Sequence, residues 1–132
     1  MQTQSLNSSF LRRALQVDGV FSFLSGIILI IGADRLAKLL GLQNSVILLV
    51  VGVALLIYAT GLFLNVRRAI INRTEAIAAA ILNFGWVAGS AVVIAWGVLT
   101  TTGNWLVAIA AEVVLLFGIL QIYGLRKMAP GK

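Results

Sequence analysis

Hydrophobic residues fall in long runs separated by short polar or basic breaks. Residues 45–66 form 22 consecutive uncharged positions, and a helix crosses a bilayer with about 20 apolar residues. Residues 76–111 are also uncharged, but Thr-Thr-Thr-Gly-Asn-Trp interrupts them at 100–105. Its β-branched, Gly and Asn residues suit a turn, so this stretch predicts two spans, 76–99 and 105–125. The first run is weaker. Its uninterrupted apolar part is only 20–31, so the span must reach back through Asp18 to about residue 14, giving 14–33. Residues 33–42, "ADRLAKLLGL", place Leu36, Leu39 and Leu40 on one side and Asp34, Arg35 and Lys38 on another. That pattern predicts a short amphipathic helix over 34–42 at the membrane surface. The expected fold is all-α: one transmembrane domain over 1–132, an up-down-up-down four-helix bundle. The polar ends 1–9 and 128–132 are expected to be loose.

Composition agrees. Charged residues make up 11% of the chain and hydrophobic ones 61%, whereas a soluble domain carries about a quarter charged residues. Lipid is the natural solvent. The net charge of +6 follows topology. Arg12 and Arg13 precede span one, Arg67, Arg68 and Arg73 lie between spans two and three, and Arg126, Lys127 and Lys132 follow span four. The other two connections are nearly balanced or uncharged. The positive-inside rule then places both termini in the cytoplasm, as expected for a bacterial inner-membrane protein. Trp105 begins span four at the outer interface, where an indole is comfortable. No basic face interleaved with aromatics points to nucleic acid. Arg12-Arg13 followed by an apolar run and "IGA" at 31–33 imitates a signal peptide, but bulky Ile31 and the intervening Asp18 oppose cleavage.

The chain has no Cys and no His. This excludes disulfide and thiol redox chemistry, Ser-His and Cys-His nucleophilic pairs, and thiolate or imidazole ligation of zinc, haem iron or iron–sulfur clusters. No cofactor and no enzyme activity are expected.

Lipid tails do not drive helices together by hydrophobicity, so small and polar residues mark the inner faces. Span one carries Asp18, Ser22, Ser25, Gly26, Gly32 and Ala33 near one stripe. Span two carries Ala54, Tyr58, Gly61 and Asn65. Span three carries Asn83, Trp86, Ser90 and Gly97, with Gly85 and Gly89 beside them as a small-xxx-small pair. Span four carries Ala108, Glu112, Ile119 and Tyr123. Gly26, Gly85 and Gly89 are expected to pack helices together. A shift of 65 residues aligns Asp18 with Asn83, Ser25 with Ser90, Gly32 with Gly97 and Tyr58 with Tyr123. A two-hairpin duplication would produce this, with its axis along the membrane normal.

At 1.5 Å per residue, Asp18 is roughly 6 Å inside the cytoplasmic end of span one and Asn83 about 10 Å inside that of span three. Spans one and three face each other diagonally in such a bundle. Asp18, Ser22, Asn83, Tyr58 and Tyr123 therefore form a candidate polar pocket for an ion or ligand. Glu112, about 10 Å from the outer end of span four, belongs to another layer with Ser90. Three roles fit Asp18: a near-interface acid beside Arg12 or Arg13, a ligand or proton site, or a subunit contact. Three also fit Glu112: a neutral acid bonded to Ser90 or a backbone carbonyl, a proton or cation site, or a contact to another subunit. Asn83 suits an interhelical hydrogen bond.

The overall plan, with "FSFLSGIILIIGADRLAKLLGL" at 21–42 as its first hairpin, resembles small four-span bacterial membrane proteins, including DoxX-like ones. It implies a compact membrane protein and carries no catalytic motif. Small multidrug resistance transporters share four spans and a membrane glutamate, but there the glutamate is in the first span. The leading expectation is a non-enzymatic accessory subunit or small oligomeric scaffold. It would lie in the bilayer as a homo-oligomer or with other membrane subunits. The alternatives are a small oligomeric transporter or channel using a membrane carboxylate, and a binder of lipid, quinone or pigment.

Overall fold

The structure, a computed structural model, describes residues 2–128, with side chains for 9–127. Five helices follow one another: α1 (Gln2–Ile31), α2 (Ala33–Leu40), α3 (Val46–Val66), α4 (Arg73–Trp96) and α5 (Thr101–Met128). All but α2 are long and apolar enough to cross a membrane. The fold is the expected up-down-up-down bundle, with α2 as the short extra helix.

The boundaries differ from expectation in three places. α1 begins at Gln2, where a loose polar end was expected; the tail 129–132 lies outside the described residues. α4 begins at Arg73 rather than 76, because the Asn72 side chain accepts the Glu75 N–H at 3.0 Å and so caps the helix. The turn before α5 is shorter than 100–105. Gly97 stops α4 with a left-handed φ of +69°. Thr100 Oγ1 then accepts the Gly103 N–H at 2.9 Å. A threonine that suggests a turn is a helix cap here, and the residues after it already belong to α5.

α1 packs along both α3 and α5, and α4 packs along α5. α3 and α4 are joined by the loop 67–72 yet pack against each other far less than the other neighbouring long helices do. The helices thus form a circuit α3–α1–α5–α4 with one open seam, and α1 and α4 face across the diagonal. Glycines set the closest approaches. A Cβ on Gly26 would stand 2.8 Å from the Gly52 carbonyl oxygen, and one on Gly52 would stand 2.9 Å from that of Gly26. On α5, a Cβ on Gly118 would meet the Phe84 ring at 3.0 Å, and one on Gly124 would meet Leu11 at 3.0 Å. Gly85 and Gly89 do not pack helices as expected. Both are exposed with open space around them, because two residues of helix turn Gly85 roughly 200° away from inward-facing Asn83.

Polar backbone at the ends of the spans is satisfied by side chains, as lipid requires. The Arg12 guanidinium on α1 donates to the carbonyls of Val66, Arg68 and Ala69, where α3 ends. Arg73, first residue of α4, donates to the Leu125 carbonyl near the end of α5 at 3.4 Å. In each hairpin a basic residue of the first long helix thus meets the negative end of the second helix's dipole. Asn65 spans the loop between the hairpins. Its carbonyl accepts the Asn72 N–H at 2.7 Å, and its amide donates to the Asn72 carbonyl at 3.2 Å. At the opposite end, the Thr100 N–H donates to the Leu40 carbonyl at 3.0 Å and its hydroxyl to that of Leu39. The end of α2 is thereby docked on the α4–α5 turn.

The glycine contrast is testable. Gly52→Ala should lower stability by about 1–3 kcal/mol, the usual cost of overpacking, measured as thermal unfolding in detergent. Gly89→Ala should be neutral or slightly stabilising, since its Cβ meets nothing and alanine favours the helix by roughly 0.5–1 kcal/mol.

Candidate functional site

Asp18 is at the centre of the bundle, 1% exposed. Its carboxylate accepts four hydrogen bonds, and together with α1's own they come from every spanning helix. The Ser22 hydroxyl of α1 donates to Oδ1 at 3.2 Å. Oδ2 receives the Tyr58 hydroxyl of α3 at 2.7 Å, the Asn83 amide of α4 at 3.0 Å and the Gln121 amide of α5 at 2.7 Å. Ser22 follows Asp18 by one helical turn, so the pair shares a face without distortion. Asn83 uses both amide hydrogens, the second reaching Gln121 Oε1 at 2.9 Å. Its own oxygen lies 3.3 Å from the Tyr58 hydroxyl. A flipped Asn83 amide would face two acceptors with its oxygen, so the network itself sets the orientation.

Asp18 thus meets Asn83 directly at one level of the bundle. Its partners are neutral donors rather than Arg12 or Arg13: Arg12 is engaged at the end of α3, and Arg13 is exposed. Four of the candidate residues come together here: Asp18, Ser22, Tyr58 and Asn83.

Three do not. Tyr123 faces outward, 49% exposed. Its ring meets Phe10 edge-on at 5.2 Å, and the Lys127 ammonium stands 4.9 Å above it. Glu112 is also exposed. It lies nine residues from Gln121, two and a half helical turns, and so on the opposite side of α5. Ser90 is buried, and no hydrogen bond joins it to Glu112. The face of α5 carrying Ile119, Glu112 and Tyr123 is therefore outward, contrary to expectation. Gln121 takes the inner place, between the buried glycines 118 and 124. Those two glycines, on one face with an amide between them, are the sequence signal that identifies the inner side.

Beside this cluster, the open seam between α3 and α4 forms a groove of about 340 Å³. Ile57, Leu62, Leu64, Ala78, Ala79 and Leu82 give it an apolar lining, with Tyr58 and Asn65 as polar points. Arg68 and Glu75, paired at 3.3 Å, also border it. Among the described residues no three acidic side chains gather to hold a metal ion.

No family model, no curated protein and no solved structure matches the chain.

The hydrogen-bond pattern predicts a graded response. Gln121→Leu removes a donor from Asp18 and an acceptor from Asn83, and should cost about 1–3 kcal/mol. Tyr58→Phe leaves Asp18 three donors and should cost less, about 0.6 kcal/mol, typical of one interhelical hydrogen bond. Unfolding in mixed micelles measures both. The double variant should lose less than the sum, because the two residues share one carboxylate oxygen.

Proposed function

We infer that this chain is a non-enzymatic membrane component, an accessory subunit or small scaffold that acts through lateral contacts with other membrane chains. The observation that carries this is the saturation of Asp18. Its carboxylate accepts four hydrogen bonds within one chain, so its chemistry is spent on holding four spans together. A transport or proton site needs a carboxyl that exchanges partners, and this one is held by a donor from each of the four spans. Glu112, by contrast, is directed away from the bundle and is available to a neighbour. The basic residues Arg12, Arg13, Arg67, Arg68, Arg73, Arg126 and Lys127 flank one end of the spans. That supports an inner-membrane location in a bacterium with both termini cytoplasmic.

The α3–α4 groove favours a second reading, a binder of an amphipathic lipid or quinone. Its lining is apolar, and a tyrosine and an ion pair border it.

Native mass spectrometry after gentle extraction from the membrane separates the readings. The expected result is a defined assembly of protein subunits, with no flux in liposomes reconstituted from the purified chain. A monomer retaining one organic molecule would favour the second reading. A monomer supporting flux that Glu112→Leu abolishes would overturn both.

A further inference from the structure

The outward side of α5 carries a regular seam. Trp105, Ile109, Glu112, Leu116, Ile119 and Tyr123 recur at alternating spacings of four and three, the repeat by which two helices interlock. At 100° per residue, these six fall within about 80° of arc. The five other than Glu112 are 49–66% exposed.

Glu112 is at the middle of this seam. It lies about 10 Å along α5 from Trp105, well inside a hydrocarbon core of roughly 30 Å. Of the four acids in the chain, Asp18 is saturated by hydrogen bonds, Asp34 is on α2, and Glu75 pairs with Arg68 in the first turn of α4. Glu112 alone is deep, exposed and without a hydrogen bond or ion pair among the described residues. A charged group there costs several kcal/mol, and such residues almost always turn to a partner.

We propose that two copies of this chain pack α5 against α5 about a two-fold axis along the membrane normal, with the two Glu112 carboxyls hydrogen-bonded to each other. It rests on the reading of the chain as an assembling unit. Copies inserted with the same topology present the same residue at the same depth, and a two-fold contact brings a residue near the axis against itself. A carboxyl group both donates and accepts when it carries a proton, so the pair is self-complementary. A second copy offers Glu112 no basic residue at this depth, because Arg12 and Arg13 are level with the end of α3 and the other described Lys and Arg residues lie on α2, near helix ends or in connections. The seam then behaves as an interlocking helix pair with one polar position, which sets register and orientation.

The absence of cysteine makes the test direct. Ile109→Cys and Leu116→Cys are introduced singly into the full chain, reconstituted in lipid vesicles and oxidised. Val50→Cys, 62% exposed at that position on α3, is the control. The expected result is a covalent dimer from both α5 variants, several-fold above the control. Adding Glu112→Leu to Leu116→Cys should weaken the dimer roughly 3- to 20-fold, the worth of an interhelical hydrogen bond. Glu112→Gln should retain it, since an amide also donates and accepts. Cross-linking no greater than at Val50→Cys overturns the dimer, and an unchanged yield in Glu112→Leu overturns the carboxyl pair. If the same cysteines, in native membranes, link only to a different protein, the dimer fails while the accessory-subunit reading stands. A monomer with flux removes both.

Discussion

In lipid, apolar side chains gain nothing from leaving the solvent for each other, so a bundle of four spans must be held by close packing and polar contacts. Asp18 supplies the polar contact here. Its carboxylate, too costly to leave unpartnered in the membrane, accepts from Ser22, Tyr58, Asn83 and Gln121. Each long helix is thereby fixed in rotation and depth relative to a single carboxyl group. A slide of α5 by one residue would move Gln121 by about 1.5 Å and 100°, and would strip a donor from that group. The glycine contacts depend on the same register. Gly26 and Gly52 let α1 and α3 approach at backbone distance, while Gly118 and Gly124 flank the Gln121 face of α5.

The two hairpins are alike in outline and unlike in detail. In both, a basic residue on the first long helix engages carbonyls where the second ends, Arg12 for α3 and Arg73 for α5. Asp18 and Asn83, equivalent under the shift of 65, meet across the bundle. The likeness stops at Tyr58 and Tyr123, one turned in and the other out. It stops again at the seams: α1 closes against α5, whereas α3 and α4 stay apart. The groove between α3 and α4 is the space that this asymmetry leaves.

Span number, the amphipathic α2 and the inward direction of Asp18, Ser22, Tyr58 and Asn83 are legible in the sequence. Hydropathy and helical spacing determine them locally. The side of α5 that faces inward is not determined this way. A charge marks both a buried site and an unpartnered outer face, so Glu112 drew Tyr123 to the wrong side of the helix with it. Gly118 and Gly124 mark the inner face more directly, because only close approach gives a missing side chain a use. The Gly85–Gly89 pair shows the limit of that rule, as its spacing is right but no helix of the same chain lies against it. Thr100 could not be told from a turn residue by composition, since threonine serves equally as a helix cap.

The carboxylate at residue 18 and its donor at residue 121 are 103 positions apart. A ribosome adding about 5–20 residues per second releases the first of them roughly 5 to 20 s before the second. Throughout that interval the membrane holds an acid whose set of donors is incomplete, with Ser22, then Tyr58, then Asn83 arriving in turn. A chain truncated before α5 carries an under-bonded carboxylate at its heart. Of the four spans, α5 is made after the others and completes the network, so chains holding all four differ from shorter ones in the place where an unmet hydrogen bond is hardest for a bilayer to conceal.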